Sequence, residues 1–259
     1  MKELFIRTIT GIILVLLTVF VAIKGGTIMV FFIFLLSIIG LKEFYDAVEC
    51  NSVHPIKFIG YMGCLFFLFS WLGVEKFSLL FILYFILIIS SIFLVLNEDA
   101  TLYDISITLF GIVYIPYLFQ HILYLEGDIY IWFVFIIAWG TDTFAYIVGS
   151  LFGKKKLCPK LSPNKTLEGS IGGILGSVLL TYLYIKILGI NLIWKYIILS
   201  IIGSIVAQLG DLTASKIKRF SNVKDFGFII PGHGGVLDRF DSILFTAPLV
   251  YYYINYFIL

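Results

Sequence analysis

The sequence predicts an all-α polytopic membrane protein. Three observations carry that expectation. Of its 259 residues 61% are hydrophobic and only 13% charged, with a mean hydropathy of +1.06, whereas soluble domains carry about 25% charged residues. The apolar runs are spread from one end of the chain to the other, and most breaks between them are brief. Lysines concentrate in two longer connections.

A helix needs about 20 mostly apolar residues to cross a bilayer. That ruler gives nine spans, at about 5–23, 27–46, 56–73, 77–96, 106–125, 129–149, 169–189, 192–214 and 240–258. Lys24-Gly25-Gly26, Gly73-Val74-Glu75-Lys76 and Glu126-Gly127-Asp128 read as hairpin turns. The first span follows Lys2 and Arg7 like a secretory leader, but no small-residue cleavage site follows it, so a retained helix is expected. The whole chain, 1–259, reads as one membrane domain. Residues 1–128 carry no specific motif, and 129–259 form the catalytic half with its long connections at 150–168 and 215–239.

Fourteen of the lysines and arginines lie at the N-terminus and in even-numbered loops; Lys24, Lys76, Lys186 and Lys195 lie in odd-numbered ones. The positive-inside rule then puts the N-terminus and both long connections in the cytoplasm, and the C-terminus outside. Cys50, Cys64 and Cys158 form no CxxC pattern and read as ordinary reduced cysteines. His54 and His121 have no ligand-like neighbours in sequence.

Acids inside spans are costly and usually face a polar cavity with a partner. Asp142 lies in IIAWGTDTFAYIVG and Asp211 in SIVAQLGDLTASKIK. Ser204, Gln208, Asp211, Ser215 and Lys218 recur at helical spacing and form one polar stripe. Lys216, Lys218, Arg219 and Lys224 follow closely, then Pro231-Gly232-His233-Gly234-Gly235, then Asp238-Arg239-Phe240-Asp241. Asp238 and Asp241 share the first turn of the last span. Carboxylates without thiols or paired imidazoles suit a hard cation such as Mg²⁺. The cations offer charge-assisted donors to phosphate, and the glycines permit an anion-binding nest of backbone N–H groups. In the first long connection, Ser162-Pro163 fits a helix N-cap and first turn, with Lys165, Thr166 and Glu168 at the entrance of the seventh span. Gly169, Gly172, Gly173 and Gly176 have the spacing of a close helix contact.

The stretch from Ser215 through Lys218-Arg219, Lys224-Asp225, Gly227, Pro231, His233-Gly234-Gly235 and Asp238-Arg239 to Asp241 resembles the signature of the phosphatidate cytidylyltransferases, also called CDP-diacylglycerol synthases. TDTFAYIVGSLFGKKKL and SPNKTLEGSIGG are similar to that family's other segments, with Asn164 where a lysine is frequent. The resemblance covers roughly 139–241 and implies a Mg²⁺-dependent reaction of CTP with phosphatidic acid, giving CDP-diacylglycerol and pyrophosphate. It leaves open an additional monovalent or second divalent cation. It also implies metal-site carboxylates at Asp211, Asp238 and Asp241, catalytic roles for Lys165 and His233, and a homodimer. Substrate contacts fall to Lys218, Arg219, Lys224, Arg239, Ser215, Gln208, Glu168, Asp142, Gly234 and Gly235. No nucleic-acid partner is expected, and composition suggests a bacterial plasma membrane. Another lipid phosphotransferase of the CDP-alcohol or polyprenyl-phosphate type, and an ion-coupled transporter using Asp142 and Asp211, stand as alternatives.

Overall fold

The computed structural model describes residues 2–49, 53–74, 77–191 and 193–259. Cys50, Lys76 and the tip of the turn expected at 73–76 lie outside the described residues. The elements run α1 (Lys2–Lys24), α2 (Gly26–Val48), α3 (Lys57–Trp71), α4 (Leu79–Leu96), α5 (Leu102–Ile112), a π-helical turn (Val113–Tyr117), α6 (Leu118–Leu123) and α7 (Ile131–Phe152). Two short strands follow, β1 (Lys156–Cys158) and β2 (Ser162–Thr166). Then come α8 (Leu167–Leu188), α9 (Ile193–Phe220), α10 (Leu237–Tyr253) and a final π-helical turn (Ile254–Ile258).

Each element is where the apolar ruler puts it, with its ends set by local chemistry. Six of the helical stretches described are long and apolar enough to cross a membrane: 26–48, 79–96, 102–123, 131–152, 167–188 and 193–220. The other expected spans coincide with α1, α3 and α10. The turn between α1 and α2 needs Gly25, at φ 58°, because a Cβ there would strike the Glu126 carboxylate, which accepts the Gly26 N–H. Thr101 and Asp104 close a reciprocal capping box at the start of α5. Pro116, which lacks an N–H, sits in the π-helical turn that interrupts the fifth span.

The connections differ from expectation in two places. Ser162-Pro163 does not start a helix. It lies in β2, paired antiparallel with β1, and Thr166 caps α8 by accepting the Gly169 N–H at 3.1 Å. A two-stranded hairpin tolerates Pro163 because an edge strand can spare one donor. Second, α9 runs on to Phe220, and Asn222 follows in the left-handed region at φ 56°. Ser215, Lys218 and Arg219 therefore lie on a helix and not in a loop.

The chain forms two compact units. The first comprises 1–126 together with 217–239, and the second 127–216 together with 240–259. The division falls near residue 127. The glycine-rich connection, however, belongs with the N-terminal helices. In the second unit, α7 and α8 pack closely through Gly169, Gly172, Gly173 and Gly176, where an added Cβ would meet Ala145, Val148, Thr141 and Phe144. Their role as a small-residue contact is as expected.

Candidate functional site

In the second unit, helix α9 carries the polar stripe. Its deeper members serve packing: Ser200 bonds Ser177 and Thr181, and Ser204 accepts from Thr141 at 2.8 Å, all fully buried. Gln208 is half-buried and pairs with Ser170 of α8, accepting from its hydroxyl at 2.5 Å and donating to its carbonyl at 3.3 Å. Asp211 is also half-buried and forms an ion pair with Lys165 of β2. Ser215, one turn on, lies 3.5 Å from Asp211 Oδ1. The β1–β2 hairpin that presents Lys165 is tied down by Glu168, whose carboxylate accepts the Lys154 and Lys155 N–H groups at 3.0–3.3 Å. Glu168 thus shapes the hairpin.

Gly210 lets α9 approach α10, since a Cβ there would lie 2.6 Å from the carbonyl oxygen of Asp241. The backbone positions of Asp211 and Asp241 are thereby brought side by side. The Asp241 side chain is 8% exposed and its Oδ1 accepts the Ser242 N–H at 2.8 Å. Asp142 of α7 accepts from the Ser242 hydroxyl at 3.0 Å, so two expected acids meet around one serine.

In the first unit, the connection after α9 folds over the start of α10. Lys218 donates to Asp238 Oδ1 at 2.7 Å and lies over the Phe226 ring. Asp238 Oδ2 accepts the N–H groups of Phe226 at 2.8 Å and Gly235 at 2.9 Å. Its side chain is 3% exposed. Ile230 and Gly234 pair as an isolated bridge, with Gly232 and Gly234 at φ 74° and 86°. A Cβ on Gly234 would press on Asp238 Oδ2. His233 is held from α1, with Thr10 Oγ1 2.8 Å from its Nδ1 and 3.2 Å from Pro231 O. Arg239 Nε donates to His233 O at 2.8 Å. Lys224 and Arg219 are exposed beside this loop.

The expected nest of N–H groups exists at the loop-to-helix junction, and its anion is the protein's own. Gly235 N–H goes to Asp238, while Val236 and Leu237 N–H go to the two oxygens of Glu43 on α2, each at 2.9 Å. Glu43, Thr10 and Ser170 are the residues that sequence reasoning missed. Glu43 obeys the rule that singled out Asp142 and Asp211, an acid inside an apolar helix, but its place near the end of α2 beside Lys42 disguised it as a loop residue.

The expected metal set is divided, with Asp211 and Asp241 in the second unit and Asp238 in the first. Among the described residues, neither unit groups three His, Cys, Asp or Glu side chains as a complete cation cage. The donor chemistry fits a hard cation: all three are carboxylates, and Mg²⁺ typically takes one or two protein carboxylates with substrate oxygens. Asp211 fits best, being partly exposed and countered by Lys165. Asp238 has three donors on about four lone-pair sites, so only Oδ1, by exchange with Lys218, has room for a cation. The free Cys64 and Cys158 play no part here. His54 N–H donates to Asp104, and His121 is buried against Tyr117 and Tyr124.

Residues 5–257 match the family model described as the cytidylyltransferase family. The chain is 38% identical over 254 residues to a phosphatidate cytidylyltransferase of Staphylococcus saprophyticus, covering 95% of this chain and 96% of that one. It is 38% identical over 257 residues to the protein of that name from Staphylococcus epidermidis, with the same coverage. With that from Staphylococcus aureus it shares 35% over 254 residues, again with 95% and 96% covered. A match spanning the membrane helices as well as the loops shows that the chain belongs to the cytidylyltransferase family and is a nucleotidyltransferase embedded in the membrane.

Proposed function

We propose that this chain transfers the cytidylyl group of CTP to phosphatidic acid, giving CDP-diacylglycerol and pyrophosphate at the cytoplasmic face of a bacterial plasma membrane. Nine spans, a cytoplasmic N-terminus and a homodimeric assembly complete the reading. An oxygen of the lipid phosphate attacks the α-phosphorus of CTP. A new O–P bond forms, the bond from that phosphorus to the bridging oxygen breaks, and pyrophosphate leaves with its electron pair. The attacking oxygen is already ionised at neutral pH, so no serine or cysteine nucleophile is needed. The obstacle is repulsion between two anions, and catalysis is positioning plus charge neutralisation.

The observation that carries the reading is the pairing of two expected metal carboxylates with lysines from the expected phosphate-binding set: Asp211 with Lys165 and Asp238 with Lys218. Each pair holds an acceptor for a cation beside a donor for a phosphate. Asp211 and Asp241 of the second unit and Asp238 of the first are the carboxylates that would hold Mg²⁺, which when bound would supply charge neutralisation for the phosphate oxygens. Lys165 and Lys218, released from their carboxylates, donate to the triphosphate. Lys224, Arg219 and Arg239 add positive charge along the same connection, and His233 contacts the leaving phosphate. Gln208 and Ser215 offer polar contacts where α9 nears the membrane edge, and Ser242 orients Asp142.

The test follows radiolabelled CTP into the lipid phase, using purified protein, phosphatidic acid and Mg²⁺ in detergent. Labelled CDP-lipid that disappears on chelation and returns with Mg²⁺ is expected. Product formed undiminished in excess chelator would remove the metal from the proposal.

A further inference from the structure

A carboxylate that lies nearly two hundred residues upstream grips the helix end that carries the proposed site. Glu43 is 4% exposed. Its Oε1 accepts Val236 N–H and its Oε2 accepts Leu237 N–H, both at 2.9 Å. These donors open α10, where N–H groups lack intrahelical partners and the helix dipole favours negative charge. The loop is shaped to admit the carboxylate. A Cβ on Gly227 would lie 2.6 Å from Oε1, and one on Gly235 would lie 2.6 Å from all three carboxyl atoms. On the same face of α2, Gly40 makes room for Leu237. The clamped peptides adjoin Asp238 directly, and Asp241 follows one turn later on the same helix.

We propose that Glu43 is a positioning residue for cytidylyl transfer. It fixes the start of α10, and with it the direction in which Asp238 presents its carboxylate. This rests on the proposed site. The chemistry argues against simple cohesion. A buried carboxylate is an expensive way to join two helices, since an apolar contact of the same volume does so without desolvating a charge. What it adds is direction. Two N–H bonds to the two oxygens of one carboxylate define the orientation of consecutive peptides, which an apolar contact does not. Gly227 and Gly235 are accordingly read as glycines that accommodate Glu43.

The experiment compares Glu43→Gln, Glu43→Ala, Gly235→Ala and the double variant Glu43→Ala/Gly235→Ala with wild type, on monodisperse protein in detergent. Glu43→Gln keeps the shape but turns an NH₂ group toward one of the two N–H donors. It is expected to lower kcat about tenfold and to raise the Mg²⁺ concentration for half-maximal rate, with KM for phosphatidic acid within about twofold. Amide hydrogen exchange at Val236 and Leu237 is expected to quicken in the same variant. Gly235→Ala alone is expected to match Glu43→Ala, and the double variant to be no worse than either, because the three atoms nearest the added methyl all belong to the Glu43 carboxylate. Wild-type kcat and Mg²⁺ dependence in Glu43→Gln would overturn the proposal, as would fully additive losses in the double variant. Should Glu43→Ala fail to fold, Glu43→Gln and Gly227→Ala decide it by the same readouts. Asp211→Asn and Asp241→Asn run alongside: full activity in those two would sink the metal site itself, independently of Glu43.

Discussion

Two aspartate–lysine pairs, one in each unit, look alike in sequence and differ in the structure. Asp211 and Lys165 have side chains 28% and 26% exposed, and the Ser215 hydroxyl lies 3.5 Å from Asp211 Oδ1. Asp238 is 3% and Lys218 14% exposed, and Asp238 also ties two backbone N–H groups of the glycine loop. The first pair is partly exposed. The second is a buried joint. An acid in a motif can thus serve the reaction, the fold of the loop, or both, and its partners tell which.

The sharpest way to break this comparison is to neutralise each acid in turn. Asp211→Asn is expected to reduce cytidylyl transfer by at least about 100-fold, roughly 2.7 kcal/mol of transition-state stabilisation, while leaving the unfolding midpoint close to wild type. Asp238→Asn is expected to lose a similar amount of activity and also about 3–5 kcal/mol of stability, because it strands Lys218 as a buried unpaired charge. Activity and thermal unfolding in the same detergent read both. Equal stability losses in the two variants would erase the distinction.

The same contrast explains how much was legible in the sequence. The long apolar helices were legible because bilayer thickness fixes helix length, and the glycine stripe of α8 because close packing demands small residues at fixed spacing. Lys165, Asp211 and Asp238 were legible as polar residues where polarity is costly. The hairpin at Ser162–Thr166 was not, because Ser-Pro satisfies both a helix start and an edge strand, and pairing with Lys156–Cys158 decides between them. Nor was Glu43 legible as the anion of the nest. The contact spans 193 residues, and no local pattern announces it. The glycines signalled that something approaches the backbone, but phosphate and carboxylate demand the same space.

Removing the lysines sharpens the comparison from the other side. Lys218→Met leaves Asp238 charged and almost wholly buried, with only the two peptide donors, so destabilisation of about 3 kcal/mol is expected. Lys165→Met breaks a more open pair, and its effect on stability is expected to stay within about 1 kcal/mol. Its effect should fall on the reaction instead, as a KM for CTP raised about tenfold. Unfolding midpoints and CTP saturation curves separate the two outcomes. A midpoint drop for Lys165→Met as large as that for Lys218→Met would show the second unit's pair to be a structural joint too.

The smallest expected effects come from the neutral hydrogen bonds that support each pair. Thr10→Val keeps the side-chain shape but removes the hydroxyl that meets His233 Nδ1 and Pro231 O. Ser170→Ala removes the hydroxyl that meets Gln208. Each is a net loss of about 1 kcal/mol in stability at most. Their effects on activity should differ, because the groups they support differ. Thr10 holds His233 and Pro231 of a loop built on glycines, and removing its hydroxyl frees the turn, so a three- to fivefold fall in kcat is expected. Gln208 sits on a continuous helix held to α7 and α8 by the buried hydroxyl bonds of Ser204 and Ser200, so Ser170→Ala should leave kcat within twofold. Steady-state rates at saturating CTP and lipid decide. If Ser170→Ala were the more damaging of the two, the catalytic geometry would depend on the α8–α9 contact more than on the loop, and the hold of the N-terminal helices on the glycine turn would count for less than the bonds suggest.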